Sequence, residues 1–90
     1  MGGLIGIGWS EPLLEQALAL RKRLLGDKHP DVADSLNNLA ALYKFTRRYS
    51  EAEPLFQQAL AICEHTLGVG NPDTIRVWGN YAVFLREAYS

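Results

Sequence analysis

The hydrophobic positions of this chain fall into four segments in which apolar residues recur every three or four positions. That spacing is typical of an amphipathic α-helix with one buried side. Proline, glycine and polar residues separate the segments, as expected for helix boundaries. The pattern therefore predicts an all-α fold with four helices, at about residues 10–25, 31–46, 50–67 and 72–88.

The residues between the segments predict how the helices begin and end. Gly26 follows the first segment and is a typical C-cap, while Pro30 stands where proline is favoured at a helix start. Ser50 and Glu53 have the spacing of a capping box at the start of the third helix. This assignment predicts that residues 47–49 form the turn between the second and third helices.

The chain also contains an internal repeat. Shifting the sequence by 42 positions aligns residues 11–44 with 53–86 and gives 13 identities in 34 positions. A period of this length is the signature of proteins built from stacked repeats. Residues 31–67 form one complete helical hairpin, and the segments on either side are partial copies of it.

The apolar side of each helix predicts the core. In the second helix one side carries Leu36, Leu39, Ala40 and Tyr43. The third helix contributes Ala52, Phe56, Ala59 and Leu60. One period later, the fourth helix repeats the pattern with Trp78, Tyr81, Ala82 and Leu85, which we expect to face inward as well. The small alanines let neighbouring helices approach closely.

These positions resemble the tetratricopeptide repeat family. The family's order of large, small and aromatic residues is matched by Leu36, Leu39, Ala40, Tyr43, Tyr49, Ala52, Phe56 and Ala59. The 42-residue period, with its Leu-Gly and Pro-Asp linker, is more similar to the kinesin light chain subtype. The resemblance implies a short right-handed α-solenoid of antiparallel helix-turn-helix repeats over residues 10–90. Residues 1–9 match nothing in the repeat and are expected to be a flexible leader or a remnant of cloning.

The resemblance also implies a function, because the first helix of each repeat in this family lines a concave surface that binds peptides. Transferred to this sequence, the peptide-binding candidates are Asp34, Asn38, Ala41, Phe45, Arg76, Asn80, Val83 and Glu87. An asparagine amide can bond to any peptide backbone, and an arginine can hold a carboxylate with two hydrogen bonds. Alternatively, the polar members form an ordinary solvated surface, and Phe45 packs against the hairpin turn.

A second class of function is structural. The fourth helix carries Trp78, Tyr81 and Phe84, and no following helix covers them in this sequence. Exposed apolar faces of this kind favour association between identical chains. The alternative prediction is therefore a module that assembles through its unpaired terminal helices, with a homodimer as the expected species.

Charge and residue composition narrow the partners and the classes of function that we expect. Nine basic and ten acidic residues give a net charge of −1, so we expect no nucleic-acid partner and no membrane partner. The single Cys63 cannot form an internal disulfide, which favours the reducing cytoplasm, and its position predicts a small core residue. His29 and His65 are the only imidazoles and form no catalytic or metal-binding constellation. We therefore predict a non-catalytic protein without cofactor or metal, whose partner is a protein or peptide.

Overall fold

The computed structural model of the protein describes residues 10–90, and the leader expected at residues 1–9 lies outside the described residues. Four helices make up the described part of the chain: α1 (Ser10–Leu25), α2 (Pro30–Phe45), α3 (Tyr49–Thr66) and α4 (Pro72–Ala88). The prediction of an all-α helical repeat is confirmed. α2 and α3 each begin and end one residue earlier than the sequence pattern indicated.

The helices are stacked in the order of the chain. α1 packs against α2, α2 against α3, and α3 against α4, and α2 also contacts α4 directly. α3 is thus the helix that joins the central hairpin to α4. Because each element packs chiefly on its neighbours in sequence, the stability of the stack depends on these successive interfaces.

α2 and α4 begin in the same way. The ring nitrogen Nδ1 of His29 accepts a hydrogen bond from the backbone N–H of Asp31 at 3.0 Å. One repeat later, Oδ1 of Asn71 accepts from the N–H of Asp73 at 2.9 Å. Each cap satisfies one of the N–H groups that a helix leaves unpaired at its N-terminus. The repeated sequence therefore produces repeated local structure.

The turn between α2 and α3 is closed by backbone hydrogen bonds. Arg47 N–H donates to Lys44 O at 3.0 Å, and Arg48 N–H donates to Tyr43 O at 2.7 Å. This pair of bonds is the Schellman arrangement, in which the residue after the C-cap, here Thr46, adopts a left-handed conformation. That residue is Arg47, with a φ of 64°, and it is the only non-glycine residue with positive φ among residues 10–90.

The predicted capping box at Ser50 and Glu53 is wrong. α3 begins at Tyr49 with Arg48 as its N-cap, so Ser50 already lies inside the first turn. The physical reason is the tight turn, which ends at Arg48. The helix therefore begins at Tyr49, and Ser50 lies too far along the chain to be its N-cap. The Glu53 carboxylate instead accepts hydrogen bonds from two hydroxyl groups of the last part of the chain, those of Tyr81 and Tyr89.

We expect Arg47→Gly to raise the free energy of unfolding by about 0.5–1 kcal/mol, because glycine adopts positive φ without a Cβ clash. Arg23→Gly is the matched control, since Arg23 lies exposed within α1. There glycine should lower stability by about 0.5–1 kcal/mol. Urea denaturation of both variants tests the pair, and the turn assignment fails if Arg47→Gly is the more destabilising change.

Arg48 connects the hairpin turn to α1. Its guanidinium lies 2.6 Å from the carboxylates of Glu11 and Glu51 and 4.2 Å from the ring centre of Tyr43. The Tyr43 hydroxyl donates to Glu15 in α1 at 3.1 Å. These contacts raise the pKa of Arg48 and lower the pKa of Glu51. α1 is therefore fixed in register against the hairpin by polar as well as apolar contacts.

The core lies between α2, α3 and α4. The predicted inward side of α2 is confirmed, because Leu36, Leu39, Ala40 and Tyr43 are all buried. In α3 the buried side chains are Ala52, Phe56, Ala59 and Cys63, while Leu60 is half-buried. Phe56 occupies the centre, with its ring 5.1 Å from that of Phe84 and 6.0 Å from that of Tyr81.

The predicted inward side of α4 is wrong. The side chains that α4 buries are Thr74, Val77 and Phe84. Trp78 and Ala82 are exposed, and Tyr81 and Leu85 are only half-buried. The reason is that the first helix of a repeat has two apolar sides, one for the preceding helix and one for the following helix. Among residues 10–90, α4 packs chiefly on the preceding helix, α3, and it uses the side that corresponds to Val32, Ser35 and Leu42 of α2.

Candidate functional site

α2 and α4 lie side by side and form one surface, here called the α2–α4 face. Three polar contacts cross it, each joining residues 42 or 43 positions apart: Asp34 with Arg76 at 3.2 Å, Asn37 with Asn80 at 3.3 Å, and Lys44 with Glu87 at 3.7 Å. Because the separation changes by no more than one residue from one end to the other, the two helices run parallel and in register.

An apolar strip is exposed on this face. Ala41 is exposed, Phe45 is 68 % exposed and Val83 is 38 % exposed. Phe45 therefore projects into solvent, and the alternative that it packs against the hairpin turn is wrong. Asn38 is also exposed and lies one helical turn before Ala41. The strip is flanked by the Asp34–Arg76 pair at one end and the Lys44–Glu87 pair at the other.

The charged candidates are engaged with each other. Besides Arg76, Asp34 has a second cation nearby, since Arg21 Nη1 lies 3.7 Å from its other carboxylate oxygen. Arg21 also donates to Ser35 Oγ and to the backbone oxygen of Asp31, both at 3.0 Å. Half-exposed ion pairs of this kind contribute little stability. Their effect is to engage Nη2 of Arg76, whose guanidinium the sequence analysis had predicted to bind a ligand carboxylate.

The two predicted asparagines have different surroundings. Asn80 is half-buried, and its amide N–H donates to Oδ1 of Asn37, a buried neighbour of Asn38. Among residues 10–90, no side-chain hydrogen bond to Asn38 is formed. Asn38 therefore offers a complete amide to a ligand, whereas Asn80 offers its carbonyl oxygen and its second N–H.

Sequence reasoning missed Asn37, Lys44 and Arg21. The signal that could have found the first two is the period itself. Opposite charges or paired amides separated by 42 or 43 residues fall opposite each other once the helices of successive repeats lie parallel. Arg21 gave no such signal, because its contacts with α2 depend on how α1 packs.

The three residues predicted for self-association differ in how far they are exposed to solvent. Trp78 is 48 % exposed, so it is available to a partner. Tyr81 is half-buried between Phe56 and Phe84, with a hydroxyl that accepts from Gln57 and donates to Glu53. Phe84 is fully buried. The expectation that Phe84 forms part of a contact surface is wrong, because its ring belongs to the core under α3.

The cysteine and the two histidines lie in the core, at a helix cap and on an exposed helix end. Cys63 is buried in the core as predicted, and burial together with the negative charge of Asp73 raises the pKa of its thiol. His29 caps α2, and His65 is exposed in the last turn of α3. Within residues 10–90, no three His, Cys, Asp or Glu side chains are grouped so that they could hold a metal ion. None of the four helices is long and apolar enough to cross a membrane.

The chain matches a model of a known protein family. The family model described as "Tetratricopeptide repeat" matches residues 10–65. This range covers α1, α2 and almost all of α3, which is more than half of the chain. No curated protein sequence matches the chain.

Proposed function

The chain belongs to the tetratricopeptide repeat family, and on that basis we propose that it binds an extended peptide segment of a protein partner on the α2–α4 face. Repeats of this family generally mediate protein–protein interaction and are generally non-catalytic. The observation that carries the proposal is the exposed strip of Ala41, Phe45 and Val83 beside the free amide of Asn38.

The chemistry of this face favours a particular kind of peptide. The amides of Asn38 and Asn80 can pair with the backbone of an extended chain, whatever its sequence. Apolar side chains of the peptide would lie on Phe45 and Val83 and remove them from water. Since Arg76 is already paired with Asp34, acidic residues contribute less than apolar ones. The proposed ligand is therefore an extended, largely uncharged segment with apolar side chains.

Two finer assignments accompany this proposal. The 42-residue period and the Leu-Gly and Pro-Asp linker support assignment to the kinesin light chain-like subtype. The single thiol, which is buried and unpaired, supports action in the reducing cytoplasm.

The binding proposal is tested with peptides selected from a random displayed library on the immobilised chain. For a selected peptide, we expect Asn38→Ala to weaken binding about 2- to 12-fold, because a hydrogen bond is worth about 0.5–1.5 kcal/mol. Asn80→Ala should have a smaller effect, since part of its amide is used by Asn37. Fluorescence anisotropy of the labelled peptide measures both.

Gln16→Ala provides the control, because Gln16 is exposed on α1 and lies off the α2–α4 face. It should leave the dissociation constant unchanged. If Gln16→Ala weakens binding as much as Asn38→Ala, or if Asn38→Ala leaves binding unchanged, the peptide site lies elsewhere.

We also propose that the chain self-associates through its terminal helices. The specific support is the exposed apolar surface at both ends of the stack, with Trp78 and Ile75 on α4 and Leu13, Leu20 and Leu24 on α1. Exposed apolar side chains grouped on a helix favour association with another protein surface.

A further inference from the structure

α4 carries an apolar side that α3 leaves largely uncovered. Ile75 is 57 % exposed, and Trp78 and Ala82 are exposed. Leu85, at the end of this side, is half-buried against the core. The spacing of three and four residues places all four on one side of the helix. These four residues are here called the open face of α4.

The internal repeat identifies the kind of helix that fits the open face. In the 42-residue repeat, its members align with four residues of α2, namely Ala33, Leu36, Ala40 and Tyr43. All four are buried, in clusters that they share with residues of α3: Ala52, Phe56, Ala59 and Cys63. α2 thus buries against α3 the positions that α4 leaves open. The open face therefore fits a helix with the pattern of α3.

α1 shares part of that pattern, because Leu14 and Ala17 are the equivalents of Phe56 and Ala59, while Arg21 stands where α3 carries Cys63. The sequences Glu-Pro-Leu and Gln-Ala-Leu-Ala stand at equivalent positions in α1 and α3. α1 packs against α2 through Leu14 and Leu18, on the side that corresponds to the contact of α3 with α4.

The other side of α1 is uncovered. Leu13 and Leu20 are exposed, while their equivalents in α3, Leu55 and Ile62, are partly buried against the core. Within residues 10–90, α1 packs against α2, and α4 packs against α3 and α2, so no described helix covers this side of α1 or the exposed part of the open face of α4.

We propose that the open face of α4 in one copy binds α1 of a second copy, so that two chains together complete a hairpin equivalent to α2–α3. This inference rests on the proposed self-association and names its partner surface. The contact would continue the established α2–α3 interface, with α1 antiparallel to α4. Trp78 and Ala82 of one copy would meet Leu13 and Leu20 of the next.

The proposed contact differs from the homodimer expected from the sequence. The two surfaces are different and lie at opposite ends of the stack, so the interface is heterologous. Such an interface leaves one unused α1 and one unused α4 after each addition, and assembly continues beyond a dimer.

Sedimentation equilibrium of the 90-residue chain and two variants tests the proposal. Trp78→Glu blocks the α4 end, and Leu20→Glu blocks the α1 end. Both residues are about half exposed (48 % and 53 %), so the fold should tolerate each change. We expect the wild-type mass to rise with concentration beyond a dimer. Each variant alone should remain at the 10.0 kDa of one chain.

An equimolar mixture of the two variants is the decisive sample. It should form a 1:1 heterodimer, because the intact α1 of Trp78→Glu can bind the intact α4 of Leu20→Glu. Val69→Glu is the control, since Val69 is exposed in the linker between α3 and α4 and should not affect assembly. Circular dichroism confirms that all variants remain helical.

Two results would overturn the inference in different ways. A wild-type chain that stays monomeric up to millimolar concentration would reject both self-association and the head-to-tail contact. If Leu20→Glu still dimerises, while Trp78→Glu is monomeric and the mixture forms no heterodimer, then self-association stands and the contact is between two α4 helices.

Discussion

Replacing Phe84 by glutamate is expected to detach α4 from the stack and to lower the free energy of unfolding by more than about 4 kcal/mol. Phe84 is fully buried, and its ring lies 5.1 Å from that of Phe56 and 5.9 Å from that of Tyr49. Glutamate loses these contacts and also places a carboxyl group among buried apolar side chains. A chain of this length has a total stability of only about 5–13 kcal/mol.

The matched control is Trp78→Glu on the same helix. Trp78 is about half exposed, so the introduced carboxylate remains hydrated, and we expect a change of less than about 1 kcal/mol. Urea denaturation followed by circular dichroism compares the two variants. If Trp78→Glu unfolds the protein and Phe84→Glu does not, α4 presents to α3 the side that the sequence pattern predicted, and the orientation described for α4 is incorrect.

The comparison between these two residues shows what the sequence could establish about the fold. Helical periodicity locates each helix to within one residue, because apolar spacing and the proline and glycine boundaries agree. It also identifies the inward residues of α2, which has helices on both sides. It failed for α4 because Trp78 and Phe84 lie on two apolar sides of one helix, and periodicity does not show which side has a neighbour.

On the α2–α4 face, too, the sequence predicts one part of the arrangement, and packing determines the rest. The 42-residue period alone places Asp34 opposite Arg76 and assigns both to one surface. It does not show that their charges pair, since pairing depends on the lateral distance between α2 and α4. The contact of Asn80 with Asn37, where the period had pointed to Asn38, is a shift of one residue that only three-dimensional packing determines. The same limit explains Ser50, because a turn closed by backbone bonds at Arg48 leaves no sequence signal as clear as a capping box.

The second large effect is expected at the centre of the stack, where Phe56→Ala should lower the free energy of unfolding by about 3–5 kcal/mol. Phe56 is buried on α3 and belongs to a cluster with residues of both α2 and α4, among them Leu39 and Phe84. Removing its ring leaves a cavity at two helix interfaces at once. In a stack whose stability is a sum of neighbouring interfaces, α4 should detach at a lower urea concentration than in the wild type.

Phe45→Ala removes the same atoms from a side chain that is 68 % exposed, and it should change stability by less than about 0.5 kcal/mol. The difference between the two variants therefore measures burial at the junction, because the chemical change is identical. Equal losses in urea denaturation would mean that the hairpin core is centred elsewhere. If only Phe56→Ala causes a large loss of stability, while Phe45→Ala weakens peptide binding, then Phe56 holds the stack together and Phe45 serves the α2–α4 face.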